Sequence, residues 1–236
     1  MHTIVVLGTG TGVGKTYAST VIIDLLAGHF TGAVMGLKPV ESGVLHPDHS
    51  DAGILGTHSR PILTPQHAFA LSAPLSPHLA AGLDGKEISV DAILKWVRRR
   101  TSSSHSPGST SADWLLVETA GGAFSPLNSI ETNATLAQAL DPSLCVLVAP
   151  DRLGVLHDLS ATLIALEKVA RRPDLIVLDT PQVSDSSTGT NRTEIERLRI
   201  AEIAGVMGRD TGFNHTDESR FLEHLRIHIS PAHASK

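Results

Sequence analysis

A short apolar run, Thr3-Ile4-Val5-Val6-Leu7, leads into Gly8-Thr9-Gly10-Thr11-Gly12-Val13-Gly14-Lys15-Thr16, and a helical pattern follows from Tyr17 to Gly28. Strand, glycine-rich loop, Lys-Thr and helix is the arrangement that cradles a nucleoside triphosphate. Glycines let backbone N–H groups approach phosphate oxygens with no Cβ in the way. The helix that follows begins with unpaired N–H groups and a partial positive charge. Lys15 can reach the β- and γ-phosphates and Thr16 can ligate Mg²⁺. The candidate nucleotide contacts are Gly10, Gly12, Val13, Gly14, Lys15, Thr16 and Tyr17. The first glycine, Gly8, stands one residue earlier than the usual spacing before Gly14. A tight turn that merely uses glycine is the competing explanation, and the Lys-Thr pair in its strand–helix setting argues against it.

The rest of the chain is compatible with that loop. Hydrophobic residues make up 41% of the 236 and charged residues 18%, enough to bury a core. Aromatics are only 3%, so Ala, Val, Leu and Ile must fill it, which favours helices packed on a sheet. A net charge of −5 leaves no electrostatic footprint for nucleic acid, and Arg98-Arg99-Arg100 reads as a solvated helix end. Cys145 is the only cysteine, which excludes an internal disulfide and fits a reducing cytoplasm. No apolar run approaches membrane-spanning length, and the first strand leaves no room before it for a cleaved leader. The 13 histidines are scattered; His224 and His228 share a helix face but lack a third ligand nearby.

Apolar strand-like runs at Thr3–Leu7, Ala33–Val40, Trp114–Glu118, Leu144–Ala149 and Leu175–Leu178 alternate with helical patterns at Lys15–Ala27, Val90–Arg100, Ile130–Leu140, Gly154–Arg171 and Arg192–Ala204. This alternation predicts an α/β fold with a doubly wound, mostly parallel sheet of the phosphate-loop NTPase type. One domain over 1–236 is expected, with a flexible Ser-rich loop near 101–112, a polar stretch at 182–190, and a weakly patterned tail after 207 carrying a helix at Asp217–Ile227.

Chemistry-bearing residues gather where strands end, the edge at which open α/β sheets bind ligands. Lys38-Pro39-Val40-Glu41-Ser42-Gly43 follows the second strand. A lysine there holds an anionic intermediate or a γ-phosphate, or is a surface lysine before a turn. Ser50 reads as an N-cap and Asp51 is placed to ligate Mg²⁺. Glu118 ends the third strand beside Thr119-Ala120-Gly121-Gly122, so it completes a metal site or pairs with Lys15 or Lys38. Gly154-Val155-Leu156-His157 opens the clearest helix, as a second anion site or as simple helix initiation.

Together these segments, with Ser76-Pro77-His78 and Leu153-Gly154, resemble the dethiobiotin synthetase family over roughly residues 1 to 170. The longer phosphate loop is that family's own spacing. The resemblance implies a homodimeric, Mg²⁺- and ATP-dependent cyclo-ligase acting on 7,8-diaminononanoate and CO₂ or bicarbonate in biotin biosynthesis. Lys15 and Lys38 would be catalytic, on the phosphoryl group and the carbamate. Thr11 and Ser42 would hydrogen-bond the carbamate, and Thr16, Asp51 and Glu118 would position Mg²⁺. Gly154, Val155, Leu156 and His157 of a partner subunit would grip the substrate's carboxylate tail. Lys38→Ala is expected to leave the fold intact and weaken carbamate binding.

The chain departs from the family pattern in four places. Gly12 stands where many relatives carry an acid, and His157 where asparagine is common. Thr119 replaces a usual glycine, and is expected to crowd the site. Asp179-Thr180-Pro181-Gln182 replaces an Asn-Asp pair that often reads adenine. The last difference predicts weak discrimination between ATP and CTP or GTP. Three alternatives remain open: an amide-forming relative, which would need a nucleophilic cysteine domain; a partition-type ATPase switch, which would need a second early loop lysine; and a paralogue using another amine.

Overall fold

The computed structural model describes residues 1–102 and 112–229. Most of the Ser-rich segment expected near 101–112 therefore lies outside the described residues, as does the end of the tail.

The elements in chain order are β1 (His2–Gly8), α1 (Lys15–His29), β2 (Val34–Leu37), β3 (Val40–Ser42), α2 (Asp51–His58), β4 (Phe69–Leu71), α3 (Pro77–Leu83), α4 (Val90–Thr101), β5 (Trp114–Glu118), α5 (Asn133–Ala139), β6 (Leu144–Pro150), α6 (Val155–Val169), β7 (Leu175–Asp179), α7 (Asn191–Arg197), β8 (Gly205–Gly208), β9 (Gly212–Phe213) and α8 (His215–Ile229). Seven strands form one sheet in the order β2-β5-β1-β6-β7-β8-β9, parallel except for the β8–β9 pair. A small parallel sheet pairs β3 with β4. The doubly wound, mostly parallel α/β fold expected from the sequence is present.

The strands alternate between two cores, because successive side chains leave a strand on opposite faces. Ile4, Val6, Val146 and Val148 pack on one face with Ile22 and Leu26 of α1 and Phe221 and Leu225 of α8. Val5, Leu7, Leu147 and Ala149 face the other way, onto Ile93 of α4, Leu136 of α5, Leu159 of α6 and Ile195 of α7. Burial on both faces explains why the central strands are almost continuously apolar. Cys145 lies in this interior, and burial, with Asp174 beside it, pushes its thiol up to about 12.

Three predicted elements change their bounds. The run Ala33–Val40 is not one strand: β2 stops at Leu37 and β3 joins the small sheet, because Pro39 has no N–H to continue the ladder. The helix expected at Ile130–Leu140 begins only at Asn133, where Thr132 and Thr135 form a reciprocal cap. The helix expected at Arg192–Ala204 ends at Arg197, since Arg199 takes a positive φ of 56°. The tail is better organised than its weak pattern predicts, with Phe221 and Leu225 of α8 in the core. His224 and His228 lie on that helix beside Glu202 and Asp174. Among the described residues no helix is long and apolar enough to cross a membrane.

Candidate functional site

The phosphate loop leaves β1 at the carboxyl edge of the sheet and turns into α1 at Gly14, whose φ is 89°. A side chain there is excluded twice over: by that backbone, and because its Cβ would lie 2.1 Å from the Asp179 carboxylate. Lys15 folds back across the loop and donates to the Gly10 carbonyl at 3.0 Å. Burial, together with Lys38 nearby, pulls its ammonium down to about 8, against the opposing pull of Glu118 and Asp51.

Glu118 lies at the end of β5, in register with Val6 of β1, with no exposed surface. Its Oε1 accepts from Lys38 Nζ at 2.7 Å and from Thr16 Oγ1 at 2.8 Å. Its Oε2 is buried without a partner. Lys38 also donates to Asp51 at the start of α2. Burial alone would lower Lys38, but the two carboxylates outweigh it and hold the ammonium above the usual lysine range. The lysine pairing weighed for Glu118 is thus present, through Lys38. It also corrects the expectation that Lys38→Ala is neutral for the fold: Lys38 is the counter-charge of a fully buried carboxylate.

The chain carries a second supporting layer that its motifs do not announce. Ser50 caps α2 by accepting from the Gly53 N–H at 3.0 Å. Buried Glu41 accepts from the N–H of Asp51 at 2.8 Å and of Ala52 at 3.1 Å, with His67 Nε2 at 2.9 Å from the same oxygen as Ala52. Burial works against the Glu41 carboxylate, yet His67, these N–H donors and Lys38 hold it below the usual range. Asn133 reaches back from α5 to the carbonyls of Ala120 and Gly122, and Ser125 takes the Gly122 N–H at 2.9 Å. Gly121 has a φ of 76°, and a side chain there would run into Ser125, with Thr11 close by. The crowding expected from Thr119 is absent. The Thr119 hydroxyl is buried and donates to the Val6 carbonyl at 3.0 Å, behind the site.

Three cavities adjoin along this edge. Thr11–Tyr17 line one of about 310 Å³ with Lys38, Asp51, Glu118 and Gly121. Thr11, Lys38, Asp51 and Gly121 also line a second, of about 500 Å³, together with Ser42, Pro74 and Ser125. The Ser42 hydroxyl is buried there without a partner. Gly12, Gly14 and Tyr17 line a third, of about 540 Å³, with Asp179, Gln182, Arg209 and Asp210. Burial, with Asp210 alongside, raises Asp179 to about 6. The glycine-rich loop and its cavity are therefore flanked by one further cavity on each side.

The structure brings together Gly10, Thr11, Gly12, Val13, Gly14, Lys15, Thr16, Tyr17, Lys38, Ser42, Asp51 and Glu118. It does not bring Gly154, Val155, Leu156 or His157 to any of the three cavities. Val155 is in the core and its N–H is already bonded to the Arg152 carbonyl at 3.1 Å. The helix-start donors left are those of Leu156 and exposed His157. Tyr17 lines the cavity, but its hydroxyl is engaged with Gly208 and Gly212 rather than offered to a ligand.

Comparison with known proteins bears on the family and the fold. A family model described as an AAA domain matches residues 2–210. The chain is 36% identical over 206 residues to the ATP-dependent dethiobiotin synthetase BioD of Anaeromyxobacter sp. (strain K), covering 86% of this chain and 87% of the relative. It is 31% identical over 236 residues to the enzyme of the same name from Nitrosospira multiformis, covering 95% and 96%. Among solved structures, a ParA family ATPase from Chlorobium tepidum shares the fold with a TM-score of 0.54 at 13% identity, over 96% of this chain and 91% of that one.

Proposed function

The chain belongs to the ATP-dependent dethiobiotin synthetases, and from that premise we propose how its own residues carry the ATP-dependent closure of the ureido ring in biotin biosynthesis. The observation that supports the assignment of roles is the Lys38–Glu118–Thr16 cluster, which stands between the phosphate loop and a cavity lined by Ser42 and Thr11.

The substrates are 7,8-diaminononanoate, CO₂ and ATP. The diamine occupies the Ser42 cavity. Its N7 lone pair attacks the carbon of CO₂, losing a proton and leaving a carbamate. Lys38 holds the carbamate oxygens, with Ser42 and Thr11 donating to them. One carbamate oxygen then attacks the γ-phosphorus and ADP departs. Lys15 and the loop N–H groups hold the transferring phosphoryl charge. The N8 amine attacks the carbonyl carbon of the mixed anhydride, the C–O bond to phosphate breaks, and the ring closes with loss of a proton. No covalent nucleophile is required, since bringing the anions together accounts for the chemistry.

Mg²⁺ fits the oxygens of Thr16, Asp51 and Glu118. The unpartnered Glu118 Oε2 is a buried acceptor of the kind a cation satisfies, and a hard divalent ion takes such a donor set. Bound there, it would draw charge from the β- and γ-phosphates. Gly154 to His157 of a second copy would hold the substrate carboxylate in a homodimer, in keeping with their absence from the lining of the three cavities described above. The acidic base-side cavity offers acceptors in Asp179 and Asp210 and no paired Asn-Asp reader, which supports loose choice among ATP, CTP and GTP.

Release of ADP from MgATP and bicarbonate, with and without 7,8-diaminononanoate, tests the proposal. Diamine-dependent release with a ureido product is expected. Nucleotide binding without it would assign the cavity to another amine.

A further inference from the structure

We propose that Tyr17 is a positioning residue that latches the turn between β8 and β9 onto α1 and so builds the outer wall of the base-side cavity. The inference rests on the nucleotide reading above, and gives the C-terminal part of the chain a share in it. Tyr17 is the only tyrosine. Its hydroxyl donates to the Gly208 carbonyl at 3.1 Å and accepts from the Gly212 N–H at 2.6 Å. Those two residues face each other as the last pair of the hairpin, Gly208 with Gly212.

On the sheet side the hairpin is anchored through β8, which pairs in parallel with β7 over three positions, while β9 adds only two paired positions at the sheet edge. From the outer side α8 supports it: Phe221 stacks on Phe213 at 5.2 Å, and Asp217 accepts from the Val206 N–H at 3.1 Å. From the inner side it has Tyr17, one residue past the Thr16 hydroxyl. Between the two latched glycines lie Arg209 and Asp210, and both line the cavity that also contains Gly12, Gly14 and Asp179. The turn therefore faces the region beyond the phosphates, where a base and ribose extend. The phosphate loop itself takes no bond from it. The matched family segment ends at residue 210, inside this turn, so the second latched glycine lies beyond that segment.

Tyr17→Phe keeps the ring and its packing and removes only the two bonds. Full-length wild type and variant are titrated by calorimetry with MgATP and with magnesium tripolyphosphate, which lacks base and ribose. MgATP affinity should fall about tenfold in the variant, about the worth of one hydrogen bond's support for the wall that only MgATP meets, while tripolyphosphate affinity stays within about twofold. In steady state, KM for ATP should rise with kcat kept. Asp210→Gly is compatible with the positive φ of 57° at that position, and should give the same selective loss without disturbing the core. Equal losses for both ligands, or no loss for either, in the folded variants overturns the inference. Wild type that binds neither ligand overturns the nucleotide reading and this inference with it.

Discussion

The Lys38 cluster and the base-side cavity flank the same phosphate loop and are built in opposite ways. On one side, an ammonium, two carboxylates and a hydroxyl are bonded to one another around the buried Lys38 and Glu118. On the other, Asp179, Gln182, Arg209 and Asp210 line an open wall, and the turn that carries two of them is held by a tyrosine from another element. Charges out of water act strongly on one another and on whatever ion enters, which is what phosphoryl transfer requires. Solvated groups on a turn discriminate weakly. On the proposed reading, the electrostatics are concentrated where bonds would change, and the base end of the cosubstrate would be held more loosely.

Substitutions in the buried cluster should have the largest effects. Lys15→Ala should lower kcat at saturating diamine about 10²–10³-fold, as for loss of a preorganised charge donor. A single-turnover assay places the loss at phosphoryl transfer, and an unchanged rate would place Lys15 outside the reaction. Lys38→Ala should cost a similar factor and also destabilise the fold by about 3 kcal/mol, because Glu118 is left buried without a counter-charge. Denaturant unfolding measures that penalty. Adding Glu118→Gln should return much of the stability and none of the turnover, and a double variant as unstable as the single one would show that the pair is not what holds Glu118.

The base side should respond more mildly. Preference for ATP over CTP and GTP in kcat/KM should stay below about a hundredfold, about 2.7 kcal/mol; a larger ratio would make the two regions alike. Asp179 gives the smallest effect. Its folded value of about 6 lies above the ordinary 3.8, so the folded chain holds this proton more tightly than the unfolded one. That contribution is complete below about pH 4 and is lost as pH rises through about 6. Asp179→Asn should therefore flatten stability over that window and raise it at pH 7 by about 1 kcal/mol. Thermal midpoints from pH 4 to 7 show whether the slope disappears.

The two regions also differ in how far the sequence reveals them. The phosphate loop, Lys38, Asp51 and Glu118 were legible because each is local: a glycine spacing, a lysine after a strand, a cap before a helix, an acid at a strand end. Sheet class was legible from the alternating period. What escaped was built from contacts distant in sequence. Glu41 caps α2 from another element with His67 beside it, Asn133 reaches back to the loop that leads into its own helix, and Tyr17 meets Gly212 across 195 residues. None of these has a spacing signature. Pro39 did signal that the Ala33–Val40 run would break, and the apolar pattern outweighed it.

The position of β1 has a consequence for how the chain is made. It precedes both of its neighbours in the chain, yet it lies between β5 and β6. Its Val6 carbonyl meets the Thr119 hydroxyl 113 residues downstream. Until then an apolar segment carrying the phosphate loop has neither neighbour to pair with. Such late-closing, parallel topology slows folding and leaves sticky intermediates open to aggregation. Nascent chains released early should thus burden chaperones while lacking any ability to consume ATP, so synthesis, and not only catalysis, has a built-in order.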